Sequence, residues 1–233
     1  MRSFAQTAFV LYVFGALVFI GYRAITAFAP REHVPWTPIS IDDPIGRATA
    51  VKLADFKNEP RACFATLEVA GVAFTRLVDS SSSDDCGFND ALTLDRSGVP
   101  YSATLQMTCP LTAALATWER QVAMPLAEEI LGSPLARVET YGSYSCRRLY
   151  GRTSGRFSQH ARANAVDISG FVLADGRTIS VLRHWDAESA EGRYLAALRD
   201  GACEVFATVL SPDYNEAHAD HFHLDMGMWS VCR

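Results

Sequence analysis

The chain has no block of basic residues, no closely spaced cysteine pair and no internal repeat. Its formal net charge of −5 and its scattered basic residues give no electrostatic reason to expect nucleic acid as a partner. Because no two cysteines form a C-x-x-C pair, a structural zinc–thiolate site is not expected. The composition, 49% hydrophobic and 20% charged over 233 residues, suits one or two globular domains with a sizeable buried core.

Charge is also absent from the start of the chain. Residues 4–22 carry no charged side chain, and about 20 apolar residues are enough to cross a bilayer as a helix. We therefore interpret residues 1–29 as an uncleaved transmembrane signal anchor. A cleavable signal peptide is the main alternative, since residues 27–29 imitate a cleavage site, although Pro30 directly after the cut is expected to hinder processing. A buried core helix is the third interpretation.

The segment that follows is rich in proline and in charge. Residues 30–60 are predicted to be an extended, exposed tether and lead-in. Residues 61–233 are predicted to form the C-terminal domain. Within it, the low-complexity run over residues 80–85 is predicted to be a surface loop.

Six cysteines follow the export-like segment. An even count in this context predicts three disulfide bonds, formed in an oxidising compartment. Cys63 with Cys86 is the first expected pair because the loop between them is short. A bond between Cys146 and Cys203 would hold the region around the candidate site. The cysteines are Cys63, Cys86, Cys109, Cys146, Cys203 and Cys232.

The hydrophobic pattern predicts an α+β domain with a small, mainly antiparallel sheet and flanking helices. Apolar residues recur every three or four positions over residues 110–131, which indicates a helix that Pro125 should kink or divide. Residues 193–210 are predicted to be helical in part. An Asp-Gly turn within residues 174–177 predicts a hairpin. The predicted strands are residues 138–144, 165–173, 178–182 and 221–226.

Histidines supply the strongest chemical signal. Three of the six histidines lie within six residues near the C-terminus, and His160 stands seven residues before Asp167. Side chains alternate faces along a strand, so His221 and His223 are expected to point the same way and Phe222 into the core. His160, Asp167 and His223 then offer two imidazoles and one carboxylate, the ligand set of a catalytic Zn2+ with an open fourth position. Two histidines and a carboxylate also suit Fe(II), but the spacing and the oxidising location favour zinc.

A hydrolytic zinc site also needs an acid/base group, which takes a proton from water and passes it to the leaving amine. His221 is the first candidate because it shares a face with His223. Asp220 is the second candidate and His218 the third. His184 is interpreted as a structural histidine, and Asp225 as support for the sheet or for a metal-bound histidine.

These residues together resemble a known group of proteins. The pattern Ser158-x-His160-x6-Asp167 with His221-x-His223 is similar to the LAS zinc peptidases, which include lysostaphin-type enzymes, D-Ala-D-Ala peptidases and the hedgehog-type fold. A closer resemblance, over roughly residues 62–233, is to the bacterial extensin-like protein C-terminal family. The segments that carry it are Tyr144-Ser-Cys146-Arg147, Ser158-x-His160, Asn164-Ala165-Val166-Asp167-Ile168, Gly170-Phe171, Ala202-Cys203 and His218-Ala-Asp-His221-Phe-His223-Leu-Asp225.

The LAS resemblance implies a LAS/hedgehog-like zinc peptidase fold, with zinc on the three ligands named above and His221 at the acid/base position. Some members use a carboxylate three residues before the last zinc histidine, the position of Asp220, so the identity of the base stays open. D-Ala-D-Ala peptidases usually have glycine where this chain has Ala163, a change that is expected to narrow the cleft at most. The implied substrate is a peptidoglycan peptide.

Two further residues are candidates for substrate binding. Arg147 could clamp a peptide carboxylate with two parallel hydrogen bonds, and Ser158 could hydrogen-bond near the metal. The sequence thus predicts a single-pass protein of the bacterial inner membrane with a periplasmic zinc peptidase domain that cuts peptidoglycan peptides. A non-catalytic, zinc-containing wall-binding module is the alternative. No prediction of oligomeric state follows from these patterns.

Overall fold

An apolar helix begins the chain. The computed structural model describes residues 2–83, 86–185 and 188–233, and its first helix, α1, runs over Arg2–Phe28. The segment Gln6–Phe28 is long and apolar enough to cross a membrane, and 0% of its most apolar window is buried against the protein, which excludes the core-helix interpretation. Trp36 contacts the end of this helix, since its indole N–H donates a hydrogen bond to the Thr26 hydroxyl at 2.9 Å.

The proline-rich segment packs against the body instead of standing free. Val34 and Ile41 are buried, and Ile41 is fully so. An ion pair between Arg120 and Asp42, with 2.9 Å between Nη1 and Oδ1, joins the segment to the following domain. The prolines thus shape a packed lead-in, where composition alone predicts extended and exposed chain.

Helices and strands are mixed along the body, as expected for an α+β protein. The other helices are α2 Thr49–Asp55, α3 Pro60–Val69, α4 Cys109–Trp118, α5 Met124–Leu131, α6 Val181–His184 and α7 Ala190–Cys203. The strands are β1 Ala73–Arg76, β2 Ser80–Ser83, β3 Cys86–Phe88, β4 Ala91–Arg96, β5 Leu105–Thr108, β6 Leu135–Gly142, β7 Ala165–Leu173, β8 Thr178–Ser180, β9 Thr208–Leu210, β10 Phe222–Asp225 and β11 Val231–Cys232.

The largest sheet contains the strands of the C-terminal half. Its order is β11-β9-β10-β7-β6, and β8 also pairs with β7. All of these pairs are antiparallel except β11 with β9. Strands β1, β4 and β5 form a second, antiparallel sheet, and β2 pairs with β3. The prediction of a mainly antiparallel α+β domain is confirmed.

The predicted helix over residues 110–131 forms in three parts. A π-helical turn, Glu119–Ala123, separates α4 from α5, and Pro125 lies in the first turn of α5. Proline has no N–H to donate and its ring crowds the preceding turn, so the widened turn absorbs the interruption that the sequence predicts. Gly132 then ends α5 with a φ of 68°, the left-handed conformation that glycine tolerates. The apolar stripe of α4 is core, with Leu111, Leu115 and Trp118 fully buried.

Local signals place β6, β7, β8 and β10 near their predicted positions, whereas β1, β3, β4, β5, β9 and β11 have no predicted counterpart. β7 has the predicted bounds, and the Asp-Gly turn joins it to β8 as expected. However, β8 ends at Ser180 and the chain continues as the short helix α6. The run predicted as a surface loop also contains a strand, since Ser80–Ser83 pairs with Cys86–Phe88, while Asp84 and Asp85 lie outside the described residues.

Three disulfides form, as the cysteine count predicts, but both expected pairings are wrong. Cys63 bonds Cys109, Cys86 bonds Cys146 and Cys203 bonds Cys232. Short sequence separation favours Cys63 with Cys86, yet α3 packs beside α4 and brings Cys63 to Cys109, 46 residues away. Cys203 ends α7 and meets the last strand of the sheet, so it is not available to Cys146.

Candidate metal site

Two neighbouring strands bring the distant parts of the metal motif together. β10 lies antiparallel beside β7 in a register that pairs His223 directly with Asp167. Side chains of directly opposed residues stand on the same face of a sheet. Phe222 points to the other face and is 1% exposed, in agreement with the predicted alternation. The pairing of these two strands therefore brings together two of the three candidate ligands from segments 56 residues apart.

His160 enters the site from a turn that precedes β7. This turn is the 3-10 helix Gln159–Arg162, and the Ser158 hydroxyl caps it by accepting a hydrogen bond from the His160 N–H at 3.3 Å. Ala163 ends the turn with a φ of 52°, a left-handed conformation in which glycine is the least strained residue. Ala163 is fully buried, so its side chain acts on the turn and not on the width of the cleft.

The three proposed ligand side chains form a tight triangle. His160 Nε2 lies 3.2 Å from His223 Nδ1 and 3.1 Å from Asp167 Oδ2. His223 Nδ1 lies 3.0 Å from Asp167 Oδ1. All three residues are buried. Among the described histidine, cysteine and acidic residues, these three form a group close enough to hold one metal ion.

These separations fit zinc. Ligand atoms on a tetrahedral zinc with bonds of about 2.0–2.1 Å are roughly 3.3 Å apart, because a tetrahedron edge is about 1.6 times the centre-to-vertex distance. The triangle, with edges of 3.0 to 3.2 Å, needs only a slight expansion to hold the ion. Two imidazoles and one carboxylate are also the donor types of hydrolytic zinc centres. The donor types and their separations are therefore compatible with a zinc ion.

The outer nitrogens of both histidines have acceptors that fix the rings. His160 Nδ1 lies 2.5 Å from the Ser143 carbonyl oxygen, which can only accept, so this nitrogen carries a proton. His223 Nε2 lies 3.1 Å from Asp225 Oδ2 and donates to that carboxylate. Each ring can therefore present the lone pair of its inner nitrogen to a metal, an arrangement typical of metal-binding histidines. Asp225 has the supporting place that the sequence suggests.

Electrostatics in the metal-free triangle favour an ion pair. Burial alone would raise the pKa of Asp167, but the close contacts with the His160 and His223 rings hold it well below its usual range. Burial alone would lower the pKa of His223, but hydrogen bonds to Asp167 and Asp225 raise it to about 9. Without metal, His223 is therefore an imidazolium at neutral pH between two carboxylates.

Zinc binding is expected to release about one proton at pH 7, because the metal must displace the proton on His223 Nδ1. The apparent affinity should rise about tenfold per pH unit and level off near the pKa of about 9. Calorimetry in buffers of different protonation enthalpy measures this release. An affinity that is constant between pH 7 and pH 8.5 would contradict the assignment. The metal-free fold should show the opposite trend, since the raised pKa stabilises it below pH 6.5 and this contribution is lost as pH rises through 9.

A second expected outcome concerns Asp225. Asp225→Asn removes the negative charge beside His223 Nε2 and should weaken zinc binding by about 10–100-fold, the usual effect of losing a supporting group. Competition with a zinc-binding dye measures this change. Asp200→Asn is the matched control, since that carboxylate is exposed and paired only with Arg199 in the described contacts. Equal zinc affinities for the two variants would show that Asp225 does not support zinc binding.

The site opens into a cleft of about 400 Å³. His160 and Asp167 lie in its wall together with the three other predicted residues Arg147, Asp220 and His221. His221 Nε2 approaches Asp167 Oδ1 to 3.6 Å, so His221 faces the triangle as predicted. Arg147 Nη2 lies 3.5 Å from Asp167 Oδ2 with its side chain about half exposed.

A chain of hydrogen bonds fixes His221 in the cleft. His221 Nδ1 lies 2.7 Å from Asp220 Oδ1, and the Tyr141 hydroxyl donates to Asp220 Oδ2 at 3.1 Å. The hydrogen bond from His221 lowers the pKa of Asp220. The Tyr141 ring also packs edge-on against His221, at 5.7 Å between centroids. Asp220 is thus engaged on both oxygens, whereas His221 Nε2 faces the metal triangle.

His218 and Ser158 have other surroundings. Burial, together with the charges of His221 and His223, lowers the pKa of His218 to about 4, so this ring is neutral at pH 7. Its Nδ1 lies 2.8 Å from Asn215 Oδ1, to which it donates. Ser158 is buried at the start of the His160 turn, where it caps the backbone.

Two residues of the site have no signal in the sequence. Tyr141 and Ser143 lie at the end of β6, and each meets a partner brought by the fold. The carbonyl group of Ser143 orients His160, and no side-chain pattern can reveal a backbone acceptor. Tyr141 reaches Asp220 from 79 residues away.

Fold and site together define an α+β domain with three disulfides, a membrane-length N-terminal helix and a two-histidine, one-aspartate candidate metal site beside an Asp–His pair. Within this class the chain belongs to the family described as extensin-like protein C-terminus, whose model matches residues 61–233. Comparison with curated proteins gives no match, and neither does comparison with solved structures.

Proposed function

We propose that this protein is a zinc-dependent peptidase that hydrolyses amide bonds in the peptide part of bacterial peptidoglycan. One observation supports it above all: His160, Asp167 and His223 approach one another to 3.0–3.2 Å, with both histidine rings fixed from outside. Such an arrangement of buried imidazoles and carboxylate suits a metal and is costly without one, because polar groups are desolvated together. The LAS resemblance supplies the substrate class.

His160 Nε2, His223 Nδ1 and the Asp167 carboxylate would hold the ion. Zinc supplies an acidified water and a Lewis acid for the carbonyl oxygen. The cleft beside the triangle leaves room for a substrate. Because the three residues of the triangle are buried, bulk water has restricted access to them from the side of the protein core.

His221 would be the acid/base residue and Asp220 its positioning partner. His221 Nε2 faces the triangle, whereas the Asp220 carboxylate binds His221 Nδ1 with one oxygen and Tyr141 with the other. A carboxylate on Nδ1 keeps the proton there and stabilises the imidazolium that forms when Nε2 takes a second proton. His221 then passes this proton to the leaving amine. This division of roles is our proposed answer to the open choice between the two residues.

Arg147 would bind a carboxylate of the substrate. Its guanidinium lies in the cleft wall within 3.5 Å of Asp167 and is about half exposed, so it can turn to a second partner. With Asp167 engaged as a metal ligand, the Arg147 guanidinium would be free to form two parallel hydrogen bonds with a substrate carboxylate. Ser158 would act indirectly, by fixing the turn that carries His160.

The proposed location is the bacterial inner membrane, with residues 61–233 in the periplasm. The N-terminal helix supports a single span, and three disulfides with no free cysteine among the described residues support an oxidising compartment. Peptidoglycan is the amide-containing polymer that such a domain would reach.

The proposal is tested with the full chain in a neutral detergent and isolated peptidoglycan. Released fragments are read by mass, with a chelator, without it, and after zinc is added back. Defined peptides that disappear on chelation and return with zinc support the peptidase. Intact peptidoglycan under all three conditions would reject it.

The ion pair between Arg147 and Asp167 favours a second candidate, a zinc-containing module that binds wall peptides without cutting them. A guanidinium 3.5 Å from the carboxylate of Asp167 would compete with a substrate for the opening of the site. For such a module, peptidoglycan is retained but not fragmented, and the retention survives replacement of His221.

A further inference from the structure

One part of the site's surroundings has a charge opposite to that of the whole protein. The net charge is −5, yet residues 140–166 contain five arginines and no acidic residue. This stretch includes the turn that carries His160. Concentrating positive charge in one segment costs self-repulsion, and such a patch is typical of a surface that meets an anionic ligand.

Most of these arginines lie on one projecting element, the arginine arm, which we define as residues 147–158. Its two sides run antiparallel: the Ser158 N–H donates to the Arg147 carbonyl at 3.1 Å, and the Leu149 N–H donates to the Arg156 carbonyl at 3.0 Å. Tyr150, near the start of the connecting loop, has a φ of 57°, which is unusual for a residue other than glycine. The arm is therefore a formed hairpin-like element.

Aromatic rings orient the guanidinium groups of the arm. Arg148 lies over Phe157 at 4.0 Å from the ring centroid, Arg152 over Tyr150 at 5.7 Å and Arg156 over Trp229 at 5.5 Å. Arg148 also donates a hydrogen bond to the Gly155 carbonyl within the arm. The guanidinium groups of Arg152 and Arg156, stacked on their rings, keep their N–H edges available for a carboxylate, and stacking reduces the entropy lost on binding. Among the described residues, no acidic side chain forms an ion pair with any of these three arginines.

The arm is also fastened to the candidate site. The disulfide between Cys146 and Cys86 holds its first residue, Arg147, which itself lines the cleft. On the other side, the Tyr150 ring packs edge-on against His218, and the Tyr150 hydroxyl accepts a hydrogen bond from Asn215 at 3.3 Å. A ligand that extends out of the cleft past Arg147 therefore meets the arm next.

We infer that the arginine arm binds the carboxylate groups of an acidic peptide that lies across the cleft. The identification of this peptide as the substrate rests on the proposed function. A short carboxylated peptide would touch the arm alone. A long polyanion such as nucleic acid would extend onto the rest of the surface, where acidic residues outnumber basic ones and repel it. Arg147 would bind the peptide carboxylate nearest the candidate metal site. Arg152 and Arg156 would bind carboxylates further along the peptide.

The test measures binding, so it does not depend on turnover. A fluorescein-labelled oligoglutamate peptide is titrated with the full chain in a neutral detergent, and anisotropy is read at low and at moderate salt. Binding should weaken with salt. The double variant Arg152→Gln/Arg156→Gln should bind about tenfold more weakly, since two charge-assisted contacts are lost. Arg61→Gln/Arg96→Gln, the same charge change on exposed arginines outside the arm, should change affinity less than about twofold.

Further variants separate recognition by the arm from a general effect of positive charge. Arg152→Lys/Arg156→Lys keeps the charge without the planar fork and should give an intermediate affinity. Equal losses for the lysine, glutamine and control variants would overturn the inference, because the effect would then not be local recognition. Tighter binding of polyphosphate or of single-stranded DNA than of oligoglutamate would also overturn it. If oligoglutamate binds as expected but peptidoglycan is never cut, the inference about the arm is supported and the proposed peptidase function is rejected.

Discussion

Replacing His160 with alanine should abolish both zinc retention and zinc-dependent stabilisation. His160 Nε2 closes the triangle at 3.1–3.2 Å from the other two ligands, so its loss leaves only two donors on the ion. The loss of affinity should exceed the roughly 10–100-fold expected for a supporting residue. Full-length protein is dialysed against a weak chelator, and its zinc content and melting temperature are measured.

The stabilisation by zinc has an expected size. Zinc at about 1,000 times its dissociation constant stabilises a protein that binds it only when folded by about 4.1 kcal/mol. The wild-type melting temperature should therefore rise with added zinc, and that of His160→Ala should not. His184→Ala is the matched control, since the ring of His184 accepts a hydrogen bond from the Ser180 N–H at 3.0 Å and is not in the ligand triangle. Similar zinc content in wild type and His160→Ala would eliminate the site.

Much of this site could be predicted because each piece has a local signal. β7 is a largely buried strand bounded by an Asp-Gly turn, and the alternation around Phe222 sets which way His221 and His223 point. The pairing of His223 with Asp167, however, requires β10 to lie beside β7 in one register. The ligand set of a zinc site and the family resemblance both predict that contact, whereas hydrophobic periodicity does not.

What the sequence does not predict depends on contacts between distant segments. The disulfide partners are set by helix and strand packing, so the short loop between Cys63 and Cys86 selects the wrong partner for both cysteines. Residues 30–60 have the composition of a tether, but Ile41 is buried against the body. The Tyr141–Asp220 hydrogen bond forms because β6 ends beside the segment before β10. Composition predicts how a segment behaves in isolation, whereas packing against the core determines whether the segment is exposed in the folded protein.

Replacing His221 separates the peptidase from the binding module. His221→Ala should keep zinc, because this ring is not in the ligand triangle, and should lower the rate of peptide release by about 10²–10⁴-fold, the usual contribution of a general acid/base. Asp220→Asn should have a smaller effect, since it disturbs the orientation of His221 and leaves its Nε2 in place. Tyr141→Phe should have the smallest effect, because it removes one hydrogen bond from the second oxygen of Asp220. Rates are measured on zinc-loaded variants whose metal content is matched to wild type.

The order of these three effects decides which residue is the base. If Asp220→Asn eliminates turnover and His221→Ala retains it, the carboxylate is the base and the histidine only positions it. If wild type releases no peptide, and His221→Ala holds peptidoglycan as tightly as wild type does, the cleft binds without catalysis. A chemical role needs the proton to reach Nε2, which the imidazole presents to the triangle at 3.6 Å, whereas recognition needs only shape and charge. Turnover at equal zinc content distinguishes these two uses of the same pocket.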